Sequence, residues 1–405
     1  MGALDGIRVI EIANWAAVPS TGVLLAEQGA EVIKVEPPAG DSMRGLMHQV
    51  AVADNEIDHA FQFSNRLKKS VAIDLTTTAG HDVAIELIKT ADVVITNLLQ
   101  GRRQRLGLTV EEMRAANPEL IVGVLTGFGE SGPDADKPGY DLTSFFARSG
   151  LSSSVGGFDG RPPRWRAAQG DHVAGLSLYA AITTALVQRA STGVGVTVET
   201  SLLQSAAWSN AYDLTRAATD GRPARAKDRY GTVNVTSEAF LCSDGRYVQL
   251  SLAEPVKGWR IMCAVLGLGD IEHDERYVTP VQRFTHMAEL IDLFDVEIAK
   301  HDSAALVDAI TELGGVAAVV LQSHEVVVDP QARAVGILRP VECDGSTFDV
   351  VAPPFSLGAD HDVAHGFGSV GTDTDAVLAD LLNISATGLD DLEAQGAIGR
   401  GPQSA

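Results

Sequence analysis

The stretch IRVIEIANWAAVPSTGVLLAEQGAEVIKVE (residues 7–36) decides the fold. Its two apolar ends, 7–13 and 31–36, read as buried strands, because isoleucine and valine crowd a helix but suit a pleated surface. Between them, 19–28 reads as a helix opening at Pro19, since proline is favoured in a first helical turn. The pattern continues downstream. SVAIDL (70–75), DVVITNL (92–98) and LIVGVLTGF (120–128) read as strands, with helices over 77–91 and 108–118. Short apolar strands alternating with helices of 10–15 residues predict a parallel sheet covered by helices, an α/β fold. Ligands of such sheets sit beyond the carboxyl ends of the strands. Here those ends include Asn14–Trp15, Glu36–Pro38, Asn97–Leu98 and Gly127–Phe128.

Further along, a short helix is expected at 141–149 and a strongly apolar one at 172–190, followed by a strand at 194–202 and a helix at 202–219. Residues 220–232 are polar and charged and read as a linker. A second unit then opens with a hairpin, 236–242 and 247–253, turning at Ser243-Asp244-Gly245-Arg246. Helices follow near 256–267, 281–299 and 302–313. After about 330 the pattern returns to short strands and acidic loops, and 396–405 reads as a loose tail.

With 405 residues, two or three domains are expected. The net charge of −22 makes nucleic acid and anionic membrane poor partners. No run of 18 apolar residues occurs, and the N-terminus lacks the basic and apolar regions of a secretory leader. Cys242, Cys263 and Cys343 lie too far apart for a metal knuckle, so a reducing, cytoplasmic setting is expected. His361 and His365 stand four apart in an Asp- and Gly-rich loop, and no metal site is assigned. Residues 61–110 carry seven Lys/Arg against four Asp/Glu. A basic island in an acidic chain suits either a small anionic ligand or a solvated face.

The segment after the first strand reads NWAAVPSTG, not GxGxxG, which excludes a dinucleotide fingerprint there. The informative chemistry is Gln169-Gly170-Asp171-His172, at the start of the long apolar helix. Asp171 reads either as an N-cap or as an ionised nucleophile toward an activated acyl carbon.

Five blocks in order carry a resemblance: residues 4–45, NRLKKSVAIDL (65–75), DVVITNLLQGRRQRLGL (92–108), NPELIVGVLTGFGESGPDADKPGYD (117–141) and STGVGVTVETSLLQSA (191–206). Together with the Gly-Asp pair before the helix, they resemble the family III CoA-transferases. The resemblance implies an interlocked homodimer. Each chain would have a Rossmann-like large domain (1–219 and 331–405) and a smaller inserted α+β domain (220–330). It implies that Asp171 attacks an acyl-CoA thioester, forming an aspartyl anhydride, and that CoA passes to a carboxylic acid. It places CoA contacts at Ala17, Ile73, Asn97, Leu98, Arg105, Gly139 and Tyr140. CoA is then a substrate and product, with no tightly bound cofactor.

Four departures bear on the substrate. Ala16, Pro37 and Thr76 stand where family members often have Gln, Arg and Lys, and no glycine-rich lid occurs near 255–260. Lys137 lies one position away from a family lysine. The family also contains α-methylacyl-CoA racemases, whose GHD motif reads Gly139-Tyr140-Asp141 here. A phenol, with an ordinary pKa near ~10, is a poor base near neutrality, which favours transfer over racemisation. A CoA-binding module without catalysis is the third reading. Trp15, Phe145, Phe146 and Trp165 could line an apolar pocket or belong to the core.

Overall fold

The computed structural model describes residues 2–46, 57–155, 161–222, 229–357 and 363–401. The chain divides into two compact units, Met1–Ser152, Arg164–Pro223 and Val335–Ala405 in one, and Ser153–Pro163 with Ala224–Ala334 in the other.

The first unit is built on a seven-stranded sheet. Its strands are β1 (Arg8–Ile12), β2 (Glu31–Glu36), β3 (Lys69–Ile73), β4 (Val93–Thr96), β5 (Ile121–Thr126) and β6 (Thr197–Ser201), with an edge strand at Ile398–Gly399. The six long strands are parallel and lie in the order β3-β2-β1-β4-β5-β6. That is the doubly wound order, which reverses between β1 and β4 and leaves a crevice at that point.

Alternation along the strands makes two cores. Ile10, Ile33, Val71 and Val94 pack on one face with Val83, Leu87 and Ile88 of the helix Thr78–Lys89 and with the C-terminal helices. Val9, Val32, Val93 and Ile121 pack on the other face against α1 (Ala17–Ala26) and α2 (Gln169–Thr192). The expected helix at 19–28 therefore starts two residues earlier, with Pro19 at its third position.

The α1 face also buries four charges. Glu11 and Lys34 are cross-strand partners on β1 and β2, and their side chains are fully buried. Lys34 Nζ donates to Glu11 Oε1 at 2.9 Å and to the Ala13 carbonyl at 3.0 Å, and pairs with Asp41 Oδ2 at 2.8 Å. Lys68 Nζ lies 2.8 Å from Glu11 Oε2 and donates to the Pro19 carbonyl on α1 at 2.9 Å. Burial pulls Lys34 down, but Glu11 and Asp41 outweigh it and hold its ammonium above the ordinary lysine range. For Lys68 burial wins, pushing its pKa down to about 7 against the pull of Glu11. Gly22 on α1 makes room for the cluster: a Cβ there would stand 2.2 Å from Glu11 Oε2.

The second unit is α+β. Its hairpin, Ala239–Leu241 and Tyr247–Leu250, gains Ala317–Val319 as a third antiparallel strand. Phe240, Trp259, Met262, Phe294 and Leu306 form its core.

Several expectations need correction. The helix expected at 202–219 is two, Leu202–Ser209 and Ala211–Asp220, meeting at Asn210, whose Nδ2 donates to the Ser149 carbonyl. The helix at 281–299 is likewise two, parted at His286. The 141–149 helix is a π-helix, Asp141–Ala147. Among the described residues, the region from 330 on contains the helices Pro330–Ala334, Thr374–Leu382 and Ala386–Ala394 besides short strands. Residues 398–399 are not loose. They pair antiparallel with Ile73 and Ala72 and close the sheet edge. His361 lies outside the described residues, and His365 sits in a two-residue strand beside Glu342.

Replacing Lys34 by Met leaves Glu11 and Asp41 buried without their shared cation. Loss of one partner from a buried ion cluster costs about 3–5 kcal/mol. Denaturant unfolding of Lys34→Met, followed by circular dichroism, should show a loss of that order.

Candidate active site

A cavity of about 450 Å³ opens beyond the carboxyl ends of β1, β4 and β5. Its walls include Asn14, Trp15, Ala17, Asn97, Leu98, Arg102, Arg105, Gly139, Tyr140 and Asp171. Seven of the eight site residues expected from the sequence therefore meet in one place. Ile73 does not. It is 1% exposed, sits in the core of β3 opposite Ile398, and can offer the cavity no side chain.

The β1 loop forms one wall. Its geometry follows from the buried charges beneath it: Lys34 holds the Ala13 carbonyl, and Asp41 Oδ1 accepts from the Trp15 N–H at 3.3 Å. Trp15 takes φ 67°, a left-handed conformation that costs energy for a bulky side chain. Asn97 fixes the same loop from β4, its Nδ2 donating to the Asn14 carbonyl at 2.7 Å and its Oδ1 accepting from the Asn14 N–H. The Trp15 ring meets the Tyr140 ring edge-on, centroids 5.6 Å apart. Of the four aromatics, only Trp15 lines the cavity. Phe145 and Phe146 are core residues, and Trp165 stacks on Phe146 at 4.3 Å.

Asp171 comes from α2. It is not an N-cap: the cap position is Ala168 at φ 69°, and Asp171 stands in the first turn. Its carboxyl makes no hydrogen bond or ion pair with a described residue. Burial, and then the nearby Asp141 charge, push its pKa up to about 7. It is therefore not held ionised by amide donors, as a capping role would require. Gly175 lets α2 come close to α1. A Cβ at Gly175 would stand 2.2 Å from Ser20 Oγ and 2.7 Å from the Ala17 carbonyl, both on α1. Thr21 Oγ1 clasps the two helices by donating to the Gly175 carbonyl at 2.9 Å. His172 faces away, its ring 4.9 Å from that of Phe63, in a separate apolar groove.

The basic island proves largely structural. Lys68 lies in the buried cluster, Arg66 pairs with Glu27, Lys69 with Glu31, Lys89 with Glu86, and Arg103 with Glu130. Arg102 and Arg105, on the short helix Gln100–Arg105, are exposed and line the cavity. Arg105 makes no side-chain hydrogen bond or ion pair with a described residue. Lys137 is outside the cavity lining and pairs with Asp134. Sequence reading missed Asp136, an exposed carboxylate on the cavity wall whose Oδ1 accepts from the Gly101 N–H at 2.9 Å. It also missed the roles of Asp141 and the Glu11–Lys34 pair. A glutamate and a lysine inside two otherwise apolar strands were the available signal for that pair.

Among the described residues, no group of three or more His, Cys, Asp or Glu is placed to hold a metal ion, and no helix is long and apolar enough to cross a membrane.

Comparison with known proteins agrees with the geometry. Residues 4–374 match CoA-transferase family III. The chain is 34% identical over 361 residues to the succinate–glutarate CoA-transferase of Agrobacterium fabrum, covering 87% of this chain and 89% of that one. It is 32% identical over 292 residues, 72% of each chain, to the (R)-2-hydroxy-4-methylpentanoate CoA-transferase of Clostridioides difficile. Among solved structures, a CaiB/BaiF family protein from Brucella suis superposes with a TM-score of 0.80 at 27% identity, covering 94% of this chain and 99% of that one.

The Asp171 environment makes a stability prediction. With a folded pKa of about 7 against an unfolded value near 3.8, the native state binds the extra proton between those limits. Wild-type stability should fall as pH rises from about 4 to 7, by up to about 4 kcal/mol. Asp171→Asn should escape that loss, so thermal melts should show the variant more stable than wild type at pH 8 and similar to it below pH 4.

Proposed function

The chain belongs to CoA-transferase family III, and we propose that it performs the transfer through Asp171 as covalent nucleophile. The observation that carries this reading is a half-buried carboxyl of raised basicity, without a hydrogen-bond or ion-pair partner among the described residues, opening into a cavity with arginines on its wall.

The chemistry balances without a base. An Asp171 oxygen attacks the acyl carbon, the C–S bond breaks, and CoA leaves as thiolate, giving an aspartyl anhydride. The thiolate attacks the Asp171 carbonyl, forming an aspartyl-CoA thioester and freeing the donor acid. The acceptor carboxylate then attacks that thioester, expels CoA thiolate and forms a second anhydride. CoA thiolate finally takes the acceptor acyl group and restores Asp171. Each step exchanges one anion for another, so no proton need move.

Each wall of the cavity has a part in this reading. The N–H groups of Ala17 and Val18 open α1 without helical partners and serve as donors to the developing oxyanion. Arg105, with Arg102 beside it, faces the CoA phosphates, where a planar guanidinium forms charge-assisted hydrogen bonds. Leu98, Gly139 and Tyr140 flank the pantetheine arm, and Asn97 acts through the loop it fixes. Ile73 has only its backbone to offer. Racemisation would need a second base across the substrate, and His172, the residue nearest Asp171 in sequence, points into another groove.

The acceptor is a carboxylic acid. We assign a homodimer, interlocked as in the family. Trp208 and Tyr212 support it, being 85% and 96% exposed, since large bare aromatics mark interfaces. The compartment assigned is the cytoplasm, consistent with three free cysteines.

Asp171→Ala should lower transfer by at least about a thousandfold while CoA still binds by calorimetry. Hydroxylamine added during turnover should trap wild-type enzyme as an aspartyl hydroxamate, seen by mass spectrometry. Absence of any adduct with a competent donor would refute the covalent route. Arg105→Ala should weaken CoA binding about tenfold, roughly 1.4 kcal/mol, with little effect on pantetheine.

A further inference from the structure

Asp141 is a buried carboxylate next to the nucleophile that the transfer chemistry leaves without a role. It opens the π-helix Asp141–Ala147 and is 3% exposed. Its Oδ1 accepts from the Leu142 N–H at 2.7 Å. Its Oδ2 accepts, at 3.4 Å, from the N–H of Gly170, the residue before Asp171. Asp141 thus supplies the cap that Ala168 cannot. Gly170 brings the two segments together, since a Cβ there would lie 2.9 Å from Asp141 Cβ and 2.6 Å from the Phe145 ring. No cation pairs with Asp141 among the described residues.

The surroundings supply little else of either sign. Within α1, β5 and the helix Leu202–Ser209, all packed on α2, no residue is charged. Glu199 on β6 is exposed. Across the cavity stand Arg102, Arg105, Asp136 and Tyr140, and His172 turns toward Phe63. Burial pushes the Asp141 carboxyl above the ordinary aspartate range, while the amides of Leu142, Gly170 and Ala168 pull it back toward the charged form; the Asp171 carboxyl has no such donor.

We propose that Asp141 is a positioning residue for the transfer, a fixed buried charge that destabilises the free Asp171 carboxylate and so favours its acylation. The inference rests on Asp171 being the nucleophile. When an Asp171 oxygen bonds to the acyl carbon and the C–S bond breaks, the negative charge passes from the carboxylate to the departing sulfur. The neutral anhydride left behind feels neither the repulsion of Asp141 nor the cost of burying an anion. An anhydride lies uphill of a thioester, so raising the starting carboxylate narrows that step. A more basic carboxylate is also a better nucleophile.

The test replaces Asp141 by Asn, which keeps a carbonyl acceptor for the Gly170 N–H and removes the charge. Asp171→Ser would not serve, but Asp141→Ser is a second variant if the amide fails to fold. The midpoint of the Asp171 titration is read from the pH dependence of the stability difference between each protein and its Asp171→Asn counterpart. In wild type it should lie at about 7, and in the Asp141 variants about one unit or more lower. The fraction of enzyme acylated at equilibrium with an acyl-CoA donor, measured by intact-protein mass spectrometry, should fall about tenfold with it. An unchanged midpoint in both variants overturns the proposal, even if the rate falls, because a purely capping residue would act that way. A shifted midpoint in a protein that never acylates upholds the coupling and refutes the nucleophile reading.

Discussion

Four charges that never meet solvent hold up the catalytic end of the sheet. Glu11 and Lys34 face each other across two central strands, and Asp41 and Lys68 complete the set from the flanking loops. A buried ion cluster adds little net stability, because desolvation offsets much of the attraction. Its value lies in geometry. Lys34 spends its donors on Glu11, Asp41 and the Ala13 carbonyl, so the turn after β1 has one arrangement that satisfies every partner. Trp15 adopts an unfavourable backbone angle there because its N–H is anchored on Asp41. Through Pro19, Lys68 ties the same cluster to α1, and α1 in turn positions α2 and Asp171.

The site inverts the usual relation between a helix start and an acid. A carboxylate in a first turn is normally stabilised by free amides and the helix dipole. Here the Gly170 amide is served by Asp141, and the half-buried Asp171 carboxyl has no amide donor among the described residues. Without those donors, burial and the Asp141 charge set its raised basicity. The arginines lie elsewhere on the cavity wall, so the cavity combines cationic groups with a carboxyl they do not neutralise.

Much of this architecture was legible in the sequence. Short apolar strands alternating with helices of 10–15 residues pointed to the parallel sheet, and ordered motif blocks located Asp171, Arg105 and the Gly139-Tyr140 loop. What escaped reading depends on tertiary contact. Asp141 reads as the first residue of a short helix, and its contact with the Gly170 segment appears only in the fold. Ile73 matched a motif position, yet its side chain faces the core. The basic island around Lys68 suited a ligand patch or a solvated face, and neither reading saw its acidic partners, because Glu11, Glu27 and Glu31 lie far back in the chain. The helices near 380 were hidden by acidic composition, and Ile398–Gly399 was too short to announce itself as a strand.

That short strand has a temporal consequence. Ile73 and Ala72 are translated more than 300 residues before their partners on the sheet edge. Until then β3 presents unpaired backbone groups along that flank, the kind of edge that recruits stray chains. The nascent protein therefore carries an open flank while more than 300 residues are added, and that flank closes only when Ile398–Gly399 pairs with it.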